Sequence, residues 1–253
     1  MKLQFLYAKL SAEIRSDMRV MKHINFTKVS QLDNKTKEAY KTLRTNISFC
    51  GDEIKTILFT SSVPNEGKSR VSFETARAFA EDGKRVLYVD ADIRKSVLVA
   101  RYEVDAEIVG LTHYLAGKMP LEDVIYETNI ERFNCIFTGA AVPNPAELLG
   151  KSRLEKLIAE KRDAYDYIIF DCPPLASVID AAVVARHCDG AILVVESNNI
   201  SYRVVQQVKK QLQKSGCRIL GVVLNKVETA GKSYYGKYYE KYYGRYHDDY
   251  HDE

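Results

Sequence analysis

The chain has no uninterrupted apolar stretch near the roughly 20 residues needed to span a bilayer, so any membrane attachment has to come from a partner. Metal-finger and disulfide patterns are missing too. The five cysteines (Cys50, Cys135, Cys172, Cys188, Cys217) show no CxxC or Cys/His spacing, which points to buried thiols in a reducing cytoplasm. Excess charge of one sign is absent. A formal net charge of +3 over 253 residues offers no footprint for a nucleic-acid partner. The last lack is local: from Gly231 to Glu253 there is no Leu, Ile, Val or Phe. Such a segment cannot bury a core and is expected to be mobile. It carries eight tyrosines instead: Tyr234, Tyr235, Tyr238, Tyr239, Tyr242, Tyr243, Tyr246 and Tyr250. Spaced tyrosines of this kind also suit an aromatic helix face laid against a partner, or stacking on single-stranded nucleic acid. Four Lys/Arg against five Asp/Glu in the segment make a poor phosphate groove.

With 46% hydrophobic residues the rest is long enough for one sizeable α/β domain. The stretches Thr56–Thr60, Arg85–Arg94, Tyr167–Phe170, Gly190–Glu196 and Arg218–Asn225 read as buried strands. Helical patterns separate them, including Lys68 to about Asp82 and Tyr202–Lys214, and this alternation predicts a doubly wound, mostly parallel sheet. Gly83 is placed to end the first of those helices.

The first strand runs into Ser61-Ser62-Val63-Pro64-Asn65-Glu66-Gly67-Lys68-Ser69, which reads as a phosphate-binding loop. A strand that turns tightly into a helix aims backbone N–H groups and the positive helix end at the turn. Lys68 would reach phosphate oxygens as a point charge, and Ser69 offers its hydroxyl to a magnesium ion. The consensus GxxxxGK[ST] is incomplete, because Ser62 stands at the first glycine position. Two other strands end in carboxylates: Asp90-Ala91-Asp92-Ile93-Arg94 and Asp171-Cys172-Pro173-Pro174. Singly, each Asp has the ordinary explanation of a turn or cap residue. Together, at the ligand edge of a parallel sheet, they describe a magnesium-nucleotide site.

These motifs resemble those of the bacterial tyrosine kinases of the capsular and exopolysaccharide type, soluble catalytic chains of a two-part membrane system. SSVPNEGKS resembles the family's Walker A, VLYVDADIR its Walker A′, YIIFDCPP its Walker B, and the tyrosine cluster its tail. The resemblance runs from about Asp33 to the C-terminus and implies a P-loop fold of the MinD/ParA kind. It also implies an ATP- and Mg²⁺-dependent kinase that autophosphorylates its tail tyrosines between subunits. Residues 63–70 (Val63, Pro64, Asn65, Glu66, Gly67, Lys68, Ser69 and Arg70) would then bind nucleotide. Ser69, Asp92 and Asp171 would hold Mg²⁺, Asp90 would take the tyrosine proton, and Lys68 and Arg94 would complete the catalytic set. Implied partners are a transmembrane modulator that recruits the chain to the inner face of the membrane, a cognate tyrosine phosphatase, and further copies in a ring, an octamer being one form.

Glu38, Lys41 and Arg44 lie along one flank of a predicted helix, Lys35–Phe49, whose apolar stripe reads Ala39, Leu43 and Ile47. The ordinary reading is a solvated face with an internal ion pair. The resemblance makes it the family's ExxRxxR ring contact, with Lys41 in place of an arginine and so without its bidentate fork. Asn65 replaces the family's usual glycine; where φ is positive, Asn is the least costly substitute. Arg70 replaces a small polar residue. Asn225 ends the last strand, where its amide is suited either to a turn or, by the resemblance, to an adenine edge. His113 has no second ligand or base nearby in sequence and is assigned to packing or surface. Asn144-Pro145 opens a short helix as cap and first residue in a stretch similar to the family's NPxELL motif. In domain terms, residues 1–32 form an N-terminal extension, 33–230 the kinase domain and 231–253 the tail. Leu3, Leu6, Leu10 and Ile14 suit a short amphipathic helix, although Met18 and Met21 are plausible alternative starts. The competing functions are a MinD/ParA-type positioning ATPase and a catalytically silent nucleotide-binding scaffold. The first of these usually carries an extra lysine in its loop, and no lysine occurs between Thr56 and Gly67.

Overall fold

The computed structural model describes residues 22–227 other than Ser30 and Asp105. The expectations for residues 1–21 and for the tyrosine tail therefore lie outside the described residues. Eight strands form one sheet: β1 (Lys22–Ile24), β2 (Thr56–Ser61), β3 (Val86–Asp90), β4 (Tyr126–Thr128), β5 (Phe133–Ile136), β6 (Tyr167–Asp171), β7 (Gly190–Glu196) and β8 (Arg218–Asn225). Their spatial order is β1-β4-β5-β3-β6-β2-β7-β8, and every pair is parallel except β4 with β5. Between them run α1 (Asn34–Ser48), α2 (Lys68–Glu81), α3 (Leu98–Arg101), α4 (Leu111–Leu115), α5 (Pro145–Leu149), α6 (Ser152–Lys161), α7 (Asp180–Ala185) and α8 (Tyr202–Lys214).

The inner strands are apolar along their whole length because helices cover both faces of the sheet. Strand alternation then divides the core in two. Ile57, Phe59, Val86, Tyr88, Ile192 and Val194 face the side of α1 and α2, while Leu58, Leu87, Val89, Leu193 and Val195 face the side of α6, α7 and α8. Phe59, Phe73, Phe133 and Phe170 are fully buried, each worth about 1.5–3 kcal/mol of transfer free energy.

The folded domain starts earlier than residue 33. β1 pairs in register with β4, and Phe26, 2% exposed, sets its ring edge-on against Phe73, Tyr102 and Phe133. The stripe of α1 is also corrected: Ala39 is exposed, and the face toward the core carries Tyr40, Leu43 and Ile47. Asp33 caps this helix, its carboxylate accepting from Thr36 N at 2.9 Å. Gly83, at φ 81°, closes α2 as expected, its N–H donating to Ala80 O at 2.9 Å. At α5, Asn144 holds the cap position by backbone only; its Nδ2 donates to Glu147 Oε2 at 3.3 Å. The cysteines are all free, with Cys135, Cys172 and Cys217 buried and Cys50 and Cys188 half-buried.

Candidate active site

β2, β3 and β6 lie side by side, and parallel pairing puts Phe59 opposite Asp171 and Asp171 opposite Asp90. Their C-terminal ends therefore open at one place, and the loop from β2 to α2 closes over it. Within that loop Gly67 has φ 93° and Asn65 has φ 70°, so Asn65 does occupy the left-handed region, where a polar side chain is tolerated. Gly67 needs its missing Cβ twice over, since a Cβ there would lie 2.2 Å from Asn225 Nδ2.

Lys68 is 9% exposed and reaches across the site. Its Nζ is 2.9 Å from Asp92 Oδ2, 3.3 Å from Asp171 Oδ1 and 3.1 Å from Ser69 Oγ. Burial alone would lower its pKa, but the carboxylates of Asp171 and Asp92 outweigh burial and raise it. Asp90, 2% exposed, sits beside them. Burial and the neighbouring Asp171 carboxylate push its pKa up to about 7, against the hydrogen bonds from Ser96 and Thr138 and the pull of Lys68. Ser96 Oγ–H donates to Asp90 Oδ2, and Asp92 N–H donates to Asp90 Oδ1 at 3.3 Å. Burial also raises Asp171, with Lys68 acting in the opposite direction.

Three carboxylates face one ammonium in this buried space, leaving an excess of negative charge suited to a divalent cation. Two carboxylates and a hydroxyl converge on a single point, marked by Lys68 Nζ. That donor set fits Mg²⁺, which takes hard oxygen ligands and typically uses one or two carboxylates alongside substrate phosphates.

The remaining predicted residues fall in several places. Val63, Pro64 and Asn65 line the turn and Arg70 is exposed on α2. Glu66 is 1% exposed and turned inward, its Oε2 accepting from Ser62 N at 2.6 Å and Val63 N at 2.8 Å. It supports the loop from within. Arg94 forks onto Asp180, with Nε and Nη2 at 2.7 and 2.9 Å from its two oxygens. Asn225 donates from Nδ2 to Glu66 O at 2.9 Å. The amide assigned to an adenine edge thus also fastens the loop. His113 Nδ1 accepts from Gly110 N at 3.1 Å, a packing contact as expected. Glu38 and Lys41 pair within α1 at 2.7 Å, while Arg44 is drawn to α2, 3.1 Å from both Asp82 Oδ1 and Ala78 O. Four residues went unread in the sequence: Ser96, Asp180, Glu196 and Lys226. Asp180 and Ser96 follow the two Asp motifs closely, and that proximity was the only available signal.

A mostly parallel sheet with a phosphate loop leading from an inner strand into a helix, and acidic residues at the neighbouring strand ends, defines a P-loop nucleotide-binding protein. Consistent with this, residues 54–219 match the family model described as AAA domain. The chain belongs, more narrowly, to the bacterial tyrosine-kinase family. It is 40% identical over 208 residues to the tyrosine-protein kinase CpsD of Streptococcus agalactiae, covering 80% of this chain and 91% of that one. The kinase domain of the Escherichia coli tyrosine kinase ETK superposes with a TM-score of 0.74 at 32% identity, over 82% of this chain and 85% of the other. The septum site-determining protein MinD of Pyrococcus horikoshii, solved with Mg-ADP, gives a TM-score of 0.60 at 30% identity, over 72% of each chain. Among the described residues no helix is long and apolar enough to cross a membrane.

Proposed function

We propose that this chain is an ATP- and Mg²⁺-dependent protein-tyrosine kinase whose own tail tyrosines are substrates, and that it serves capsular or exopolysaccharide synthesis. The observation that carries this reading is the convergence of Lys68, Ser69, Asp90, Asp92 and Asp171 in one buried site. Phosphoryl transfer asks a protein mainly for positioning and charge neutralisation, and amides, an ammonium and carboxylates at the end of a rigid sheet supply both. Loop amides and Lys68 hold the phosphates. Ser69, Asp92 and Asp171 would hold Mg²⁺, which supplies further charge neutralisation at the phosphates. Asp90 takes the tyrosine proton; a carboxylate with a pKa near 7 is a better proton acceptor than an ordinary one. The same machinery would serve hydrolysis. Eight tyrosines between residues 231 and 253 favour a kinase, as does the name of the relatives, tyrosine-protein kinase. A transmembrane modulator is proposed as the activator that recruits the chain to the membrane, and a tyrosine phosphatase as the enzyme that resets it.

Incubating the purified chain with ATP and Mg²⁺ should yield phosphotyrosine in residues 234–250. Lys68→Met should reduce that signal by at least ~100-fold, as expected for loss of a charge aimed at the transferred group. Full labelling by the Lys68→Met chain would overturn the site, and phosphate release without phosphotyrosine would make the protein an ATPase.

A further inference from the structure

One group of contacts around the phosphate loop is not absorbed by the site just described. β7 and β8 end side by side, with Glu196 paired to Asn225 in register. Immediately after β8 the backbone of Lys226 enters the left-handed region, φ 56°, unusual for a residue with a Cβ. Its ammonium donates to Asn65 O at 2.8 Å and lies 3.1 Å from Glu196 Oε1. Asn225 Nδ2 donates to the next carbonyl, Glu66 O, at 2.9 Å. Glu196 closes the circuit from the other side, its N–H donating to Glu66 Oε1 at 3.1 Å. The second oxygen of that same Glu66 carboxylate binds the amides of Ser62 and Val63.

We propose that Lys226 is a positioning residue for nucleotide phosphates: with Glu196 and Asn225 it clamps the phosphate loop from outside and sets the direction of its backbone amides. A loop carbonyl held at residue 65 and another held at residue 66 fix the 65–66 and 66–67 peptide planes, and with them the N–H groups of Glu66 and Gly67, just before the loop enters α2. Peptide planes that are held in place point their N–H groups consistently, and phosphate binding at a helix N-terminus depends on that direction. Lys226 is about half exposed, 47% for its side chain, and surface ion pairs contribute little to global stability. Its contribution should therefore show in the loop and in nucleotide affinity rather than in melting. This inference rests on the phosphate-site reading above.

The test uses the full chain as wild type, Lys226→Met, Lys226→Arg and the control Lys210→Met on the exposed face of α8. Three quantities are read: hydrogen exchange of peptides spanning residues 62–67 without nucleotide, the Kd for ATP with Mg²⁺, and the melting temperature. Lys226→Met should speed exchange in the loop and raise Kd by roughly three- to tenfold, the scale of one charge-assisted hydrogen bond partly open to solvent. Its melting temperature should match wild type, Lys226→Arg should restore both values, and Lys210→Met should change neither. Unchanged exchange and unchanged Kd in Lys226→Met would overturn the clamp. So would a fall in melting temperature, unrescued by arginine, that accounts for the affinity loss. Faster loop exchange in Lys226→Met together with a wild type that binds no ATP would retain the contact but refute the phosphate site, and with it the positioning role.

Discussion

Asp189 carries one of the densest hydrogen-bond sets in the molecule, at the N-terminal edge of the sheet and far from the site. Its Oδ2 accepts from Lys55 N, Thr56 N, Thr56 Oγ1 and Arg162 Nη1 at 2.7–2.9 Å, tying the starts of β2 and β7 to the end of α6. Asp189→Ala should cost about 2–4 kcal/mol, read by urea denaturation, since three donors and a guanidinium lose their acceptor at once. The pH dependence follows with a definite sign. Burial works to raise this carboxyl, but the Arg162 hydrogen bond and the backbone amides prevail and its pKa lies below the usual value. A depressed carboxylate contributes stability above its unfolded pKa of roughly 4 and loses that contribution as pH falls through the folded value. The gap between wild type and Asp189→Ala should thus be full at pH 6 and shrink below about pH 4; a gap independent of pH would refute it. Arg94 poses a similar question inside the site, because Asp180 is 0% exposed and takes both guanidinium bonds. Arg94→Lys keeps the charge but not the fork. We expect it to lower kcat by roughly tenfold while ATP affinity stays near wild type, measured by transfer to a tyrosine peptide.

Among the elements, α1 is the one whose two roles separate. Its Glu38–Lys41 pair stays on the helix surface, and surface pairs contribute little to stability. Arg44 instead bridges to the end of α2 at Asp82 and Ala78 O, with its side chain 22% exposed. Charge changes at the two positions should therefore differ in effect. If α1 joins copies of the chain, Glu38→Lys should lower the oligomeric mass seen by light scattering while the melting temperature holds. Arg44→Glu should lower both, with a stability loss of about 1–2 kcal/mol from the broken contact to α2. Equal melting temperatures for the two variants would remove Arg44 from its place between the helices. An unchanged mass in both would leave α1 as a solvated face.

At the scale of the whole molecule stands the tyrosine tail, residues 231–253, which lies outside the described residues. A segment of about 20 residues extended at ~3.3–3.6 Å each reaches ~70 Å, enough to enter a neighbouring subunit's site. Each phosphate adds between about −1.5 and −2 charges. Several of them would repel one another and the carboxylates of Asp90, Asp92 and Asp171 in a receiving site, so phosphorylation should loosen the assembly. Mixing a chain truncated after residue 230 with a full-length Lys68→Met chain should label the latter. Failure of that labelling, although wild type labels itself, would refute transfer between subunits. Fully phosphorylated protein that keeps the unmodified oligomeric mass would refute the opening.

Five strands and the nucleotide loop could be read directly from the chain. A strand buried on both faces must be apolar throughout, which made β2, β3, β6 and β7 legible. β8 was legible as a strand but is not the buried one expected, because it lies at the sheet edge with Val222 and Leu224 exposed. Only the three strand ends taken together, not any one Asp, pointed to Lys68, Ser69, Asp90, Asp92 and Asp171 as candidate site residues. These are local signals, in which backbone geometry alone carries the side chain to its place. β1 and β4, three residues each, and the four-residue β5 have too little length for a pattern and exist because distant partners pair with them. The same holds for the supports of the site. Arg94 meets Asp180 across 86 positions, Asn225 meets Glu66 across 159 and Lys226 meets Asn65 across 161. The sequence by itself determined that Lys68, Ser69, Asp90, Asp92 and Asp171 stand at the ends of the inner strands and in the loop beside them. Only the tertiary structure decided which distant side chains hold those groups in position, because such contacts follow from strand order and register rather than from any spacing along the chain.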